Sequence, residues 1–151
     1  MGRIDILNPT QGWGHYIDDL NFQPGGTSVP EVTATGALAD GKITPATKIQ
    51  SKPYLEIGPD RFVEWNGRGW GWLDIYGGFA HSSDTFFYQV ATMLGADRLA
   101  YYAHAFGFGQ PTGIDLPAEA AGIIPSNAWK VANFGQPMYA GDTAWAGIGQ
   151  G

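Results

Sequence analysis

From Glu31 to Asp40 the positions Val32, Thr35 and Leu38 recur three apart, a spacing that predicts a short helix with Gly41 as its C-terminal cap. The pattern then turns strand-like. Ile43, Tyr54-Leu55-Glu56-Ile57 and Arg61-Phe62-Val63-Glu64-Trp65 read as short strands, and the turn Gly58-Pro59-Asp60 makes the last two a hairpin. Asn66 to Trp72, rich in glycine and tryptophan, reads as loop. Leu73 to Ala80 follows as a short helix, which Gly77-Gly78 weakens by about 1 kcal/mol per glycine. Asp84 is placed to cap a helix from Thr85 to Leu94 with Phe86, Val90, Met93 and Leu94 on one face. No charge falls inside that helix, so it is expected to be buried nearly all round. Beyond Gly95, a helix from Ala96 to Phe106 brings Leu99, Tyr102, Ala103 and Phe106 together, and Gly107 closes it. The remainder, 109–151, is loop-rich, with one short helix near Ser126 to Asn133 capped by Ser126. The first thirty residues carry little apolar period and hold turn signals at Gly12-Trp13-Gly14 and Gln23-Pro24-Gly25-Gly26. The expected organisation is an irregular N-terminal segment, 1–30, followed by an α+β domain, 31–151.

Composition narrows the function classes. A hydrophobic content of 44% excludes a disordered chain, while 23 glycines and 10 prolines imply much irregular backbone. The net charge of −6, with eight scattered basic residues, argues against nucleic acid and against a polybasic membrane contact. Without cysteine there is no disulfide, thiolate nucleophile or cysteine-bound metal. His15, His81 and His104 lack metal-ligand spacing, and Asp18-Asp19 beside His15 reads as a solvated loop, so no metal or cofactor is expected. No apolar run approaches the length of a membrane span, and the N-terminus has no signal core. The chain is expected to be soluble with no export signal.

Serine acyl transfer needs a base, a proton shuttle and an oxyanion site, and one large enzyme class supplies them with Ser-x-x-Lys, Ser-x-Asn and Lys-Thr-Gly. Ser82-Ser83-Asp84 has the second form, with Asp for Asn, just before an apolar helix. Taken alone it reads sooner as a helix cap, with Asp84 in that role. Its surroundings carry more. Gly71-Trp72-Leu73-Asp74, Ala80-His81-Ser82-Ser83-Asp84-Thr85-Phe86-Phe87-Tyr88-Gln89-Val90-Ala91, Gly107-Phe108-Gly109, Thr112-Gly113-Ile114-Asp115-Leu116-Pro117 with Glu119, Pro125, Trp129-Lys130, Gly141-Asp142-Thr143 and Gly147-Ile148-Gly149-Gln150-Gly151 follow in order. This series closely resembles class B penicillin-binding proteins of the elongation type, penicillin-binding protein 2, over about Thr33 to Gly151. Ala118 departs from it, where the family usually has glycine.

The resemblance implies a partial penicillin-binding-protein/β-lactamase-like transpeptidase fold, mainly the helical subdomain with a small β-hairpin. It implies a parent enzyme that cross-links peptidoglycan stem peptides, is acylated by β-lactams, and works in the periplasm or on the extracytoplasmic face of the bacterial inner membrane. In such enzymes Ser82 would pass protons near the leaving group and Asp84 would bond neighbours and the substrate amide. The nucleophile motif, Pro-Gly-Ser-Thr-Phe-Lys in family members, falls on Pro24-Gly25-Gly26-Thr27-Ser28-Val29-Pro30. Aligned backwards from Thr33, Thr27 takes the serine and Pro30 the lysine; aligned forwards from Pro24, Gly26 takes the serine and Val29 the lysine. Neither register supplies an amine, so Thr27 or Ser28 would be an unactivated hydroxyl. Lys-Thr-Gly is also missing: none of Lys42, Lys48, Lys52 and Lys130 precedes Thr-Gly, and Thr112-Gly113 belongs to a structural loop. The sequence stops without a terminating element, as a truncation would. A fragment or inactive relative of a D,D-transpeptidase that is not acylated alone is the leading expectation, with a complementing chain as a possible partner. A non-catalytic glycan- or peptide-binding module and an engineered scaffold without native function are the alternatives. Gly67-Arg68-Gly69-Trp70-Gly71-Trp72 motivates the first alternative, against which stands packing of Trp72 on the following helix.

Overall fold

The computed structural model describes residues 27–115 and 117–150. The turns expected at Gly12-Trp13-Gly14 and Gln23 to Gly26 lie outside the described residues. Helix α1 spans Val29–Ala39, two residues ahead of the expected start, because Ser28 is its N-cap and Pro30 tolerates the first turn. Strand β1 is Ile49–Ser51, β2 Tyr54–Ile57, β3 Asp60–Val63 and β4 Gly71–Leu73. Helices α2, Ile75–Ala80, α3, Asp84–Leu94, and α4, Ala96–Ala105, follow. Two more helices close the described chain: α5, Asn127–Phe134, and α6, Ala140–Ala146.

The hairpin is the expected one. β2 and β3 pair antiparallel with Leu55 opposite Phe62, and Gly58 takes φ 63 at the turn, a conformation glycine adopts without a Cβ clash. A second antiparallel pair joins β1 to β4, with Ile49 opposite Leu73. Part of the predicted glycine–tryptophan loop is therefore strand, and Leu73 ends that strand instead of starting a helix. Asp74 sets the boundary: its carboxylate accepts the Gly77 amide at 2.9 Å and caps α2.

α3 is the central element. Seven of its residues are buried, Thr85, Phe86, Phe87, Tyr88, Val90, Ala91 and Leu94, as the uncharged sequence requires. Met93 leaves the expected apolar face, at 45% exposure. One core cluster gathers Phe62, Ile75, Phe86, Phe87, Tyr88, Val90, Ala144 and Ile148. A smaller one, Val32, Leu94, Leu99 and Ala103 with Tyr102 and Phe106 against it, realises the face read for α4. α1 packs closely because its buried face is small. A Cβ on Gly36 would lie 2.6 Å from a Tyr102 ring carbon and 2.8 Å from Leu94.

The end of α1 is clamped to α4 by charge. Arg98 reaches both Asp40 oxygens at 2.6 Å, and the Tyr102 hydroxyl donates to Asp40 at 2.8 Å. The Arg98 and Tyr102 bonds hold the Asp40 carboxyl down at about 2, against an ordinary 3.8. Bonds from the Asn127 side chain and amide lower Asp97, and Lys48 with the Gly77 amide lowers Asp74. A carboxyl depressed by folding stabilises above its unfolded pKa and stops doing so as pH falls through the folded one. The melting temperature is accordingly expected to hold from neutral pH to about 4 and to drop between about 4 and 2. Asp40→Asn should lower the neutral-pH value and flatten part of that drop, as read by thermal melts across pH.

Candidate active site

The loop between α2 and α3 carries the second motif. Ser82 is exposed and sits at φ 47, a left-handed backbone that non-glycine residues adopt at a cost. Its amide donates to Phe79 O, and the next amide, Ser83, donates to Gly78 O, both at 3.0 Å. Ser83, not Asp84, caps α3: its buried hydroxyl accepts the Phe86 amide at 3.3 Å, and the helix starts at Asp84. The expected cap is thus shifted by one residue. Asp84 occupies the first turn, where a carboxylate suits the positive end of the helix dipole. Burial first, then the charges of Asp84 and Glu64, push the Tyr88 hydroxyl well above the ordinary tyrosine value.

Beneath this loop lies an acid from the strand-like run Arg61 to Trp65, just past the end of β3. Glu64 is 1% exposed. Its carboxylate accepts from Ser51 Oγ at 3.0 Å, Ser83 Oγ at 2.8 Å, Thr85 Oγ1 at 2.6 Å, and the Asp84 and Thr85 amides at 3.2 and 3.1 Å. Trp65 and Trp70 hold the loop's other flank. Trp65 Nε1 donates to His81 O at 3.0 Å, and the Trp70 ring stacks on the His81 ring with centroids 4.2 Å apart.

Thr27 and Ser28 lie at the N-terminus of α1. The Ser28 amide donates to Glu31 Oε2 at 2.5 Å, the backbone half of a capping box. Thr27 lines a groove of about 360 Å³ with Glu31, Ala34, Thr35, Leu38, Phe79 and Phe106. That groove brings Thr27 to the side chain three residues before Ser82; neither Ser28 nor Ser82 is among its described lining residues. No lysine stands there. Lys48 and Lys130 are paired with Asp74 and Asp142, and Lys42 follows the far end of α1, roughly 16 Å along the axis for eleven residues. Lys52 is exposed beyond β1.

Other readings resolve locally. Trp72 is 67% exposed on β4, so it does not pack on α2 as expected; its neighbour Leu73 points inward because side chains alternate along a strand. His104 is structural as anticipated, with Nδ1 3.2 Å from Phe108 O. Thr112-Gly113 is also structural: the Thr112 amide and hydroxyl and the Gly113 amide all donate to Glu119. Ala118 takes φ 62, which gives a physical reason for a family preference for glycine there. Among the described residues no group of histidine and carboxylate side chains could hold a metal ion.

Comparison with known proteins agrees over most of the chain. Residues 19–150 match the family described as "Penicillin binding protein transpeptidase domain". The peptidoglycan D,D-transpeptidase MrdA of Salmonella typhimurium (strain SL1344) is 43% identical over 153 residues, taking in 93% of this chain and 25% of that protein. The PBP2 structure from Pseudomonas aeruginosa superposes with a TM-score of 0.75 at 36% identity, covering 85% of this chain and 30% of that one. A complex between PBP2 and MreC from Helicobacter pylori gives a TM-score of 0.74 at 35% identity, over 82% of this chain and 23% of that one. The chain spans about a quarter of the length of the curated relatives it matches.

Proposed function

The chain belongs to the penicillin-binding-protein transpeptidase family, and from that premise we propose that it supplies the helical face and second-motif loop of a PBP2-type peptidoglycan D,D-transpeptidase without being acylated by itself. The observation that carries this reading is the combination of an exposed Ser82, in the loop just ahead of the buried helix α3, with hydroxyls at Thr27 and Ser28 that have no lysine beside them among the described residues. In a completed site Ser82 would relay the proton to the leaving amine and Asp84 would bond the substrate amide. Acylation also needs an activated nucleophile, and a hydroxyl without a base loses most of its rate. Glu31 does not fill that role in this reading, because its carboxylate serves the capping box. The substrate side would be a peptidoglycan stem peptide, met on the extracytoplasmic side of the inner membrane, and the activating amine would come from outside the described residues, for which a complementing chain is one source. No helix among the described residues is long and apolar enough to cross a membrane.

Incubation with a labelled penicillin, followed by a gel and intact-mass measurement, is expected to return the unmodified mass. A covalent adduct on Thr27 or Ser28 overturns the inert-alone part of the reading. A second reading, a non-catalytic glycan- or peptide-binding module, is favoured by the exposure of Trp65 and Trp72, 62% and 67%. Titration with a muropeptide separates the two: tryptophan fluorescence changes without any response at Ser82 or Asp84 support the module.

A further inference from the structure

We propose that Glu64 is the positioning residue of the second motif, a buried carboxylate that fixes residues 82–85 and so aims the Ser82 hydroxyl. The inference rests on the transpeptidase reading for the meaning of Ser82, but its geometry stands apart from it. A carboxylate with 1% exposure is costly to bury unless hydrogen bonds satisfy it. Here five do, and four of them come from the run Ser83 to Thr85: two hydroxyls and two amides. The fifth, from Ser51, ties the same group to β1. A residue needed only to fill space would be apolar. An acceptor converging on consecutive donors of one loop instead specifies that loop's backbone.

The strained residue lies immediately upstream of those donors. Ser82 at φ 47 persists only if its flanks are over-determined. On one side Glu64 grips Ser83, Asp84 and Thr85; on the other, the Ser82 and Ser83 amides are tied to α2, and Trp65 holds the His81 carbonyl. Ser82 itself stays exposed between the two grips. Neither close relative of glutamate can replace it. Glutamine can keep an oxygen toward the four donors that meet Oε2, but it loses the charge and sets its NH2 against the Asp84 amide at Oε1, and aspartate falls short by about one bond, roughly 1.5 Å.

The test compares wild type with Glu64→Gln in the full chain, by residue-resolved amide exchange and by NMR titration with an N-acyl-D-alanyl-D-alanine peptide. Exchange at Asp84 and Thr85 is expected to accelerate about tenfold or more, with α4 amides unchanged, and the peptide response at Ser82 and Asp84 to disappear. Glu64→Asp should give the same local pattern. If Glu64→Gln does not fold, Ser83→Ala, which removes one donor to Glu64 and the cap acceptor of Phe86, is expected to show a weaker version at the Asp84 and Thr85 amides together with faster exchange at Phe86. Unchanged exchange at Asp84 and Thr85, or acceleration spread evenly over all helices, overturns the proposal. A wild-type chain that never responds to the peptide sinks the transpeptidase reading instead, and the exchange comparison still decides the role of Glu64.

Discussion

Truncating Phe62 to alanine is expected to cost about 3–5 kcal/mol, a large part of the stability of a domain this size. Phe62 is fully buried although it lies on β3, a strand of the two-stranded hairpin. Its ring meets Tyr88 of α3 edge-on at 5.3 Å and Trp145 of α6 at 5.0 Å. Tyr88 and Trp145 also touch each other at 5.5 Å, so the three rings form a closed cluster. Such pairs add to simple area burial. A two-stranded hairpin is marginal alone, and Phe62 is the side chain that seats this one on the helices. Phe62→Leu keeps most of the apolar volume and should cost roughly 1.5 kcal/mol or less. Urea unfolding followed by tryptophan fluorescence measures both. A loss below about 1 kcal/mol for the alanine variant would mean the cluster closes over the cavity, contrary to a close-packed interior.

The elements that were readable from sequence are those whose local chemistry and burial agree. α3 announced itself by an apolar stretch without charge, and α4 by its face of Leu99, Tyr102 and Ala103. The hairpin was readable because Gly58-Pro59 is turn chemistry between two strand-like runs. β1 and β4 were not, since three-residue strands pairing across twenty positions leave no periodic trace. α6 was missed for a related reason: Ala140, Gly141, Asp142 and Thr143 show no amphipathic period. Ala144 and Trp145 become meaningful only against α3 and Phe62.

Within the candidate site, the Ser82-Ser83-Asp84 motif stands out in the sequence, whereas the contacts that support it do not. Yet Glu64 left a signal. In an extended run residues two apart face the same way, and Phe62 is plainly inward. Glu64 shares its parity and therefore points into the protein, where an acid demands donors. A charged residue on the apolar side of a strand beside a serine-rich loop is the pattern that would have found it. The one-residue displacement of the cap has the same origin: Ser83 and Asp84 are both good N-caps, and Glu64 engages both Ser83 and the Asp84 amide, drawing the helix start to Asp84.

Substituting Gly147 by alanine is the other change expected to act strongly, at about 3 kcal/mol, the upper end of overpacking penalties. Gly147 ends α6 with ordinary helical φ of −67°, so the backbone itself tolerates any residue. The obstacle is packing. A Cβ there would run into the Cβ of Ala91 on α3, far inside van der Waals contact, and a methyl on Ala91 has no rotamer by which to move aside. The helices would have to separate, and that separation would stretch the 2.7 Å bond from the Thr33 hydroxyl to the Gly147 carbonyl. α1, α3 and α6 therefore meet at one point that admits no extra carbon. The effects of substitutions at positions 91 and 147 should therefore be non-additive. Ala91→Gly alone should cost about 1 kcal/mol or somewhat more, because it places glycine in a buried helix. Combined with Gly147→Ala it should recover part of the loss, since one methyl then fills the space left by the other. The cycle should return a favourable coupling of at least about 1 kcal/mol. Equilibrium denaturation of the four proteins measures it, and an additive result would place the damage in the backbone of α6 and not in its contact with α3.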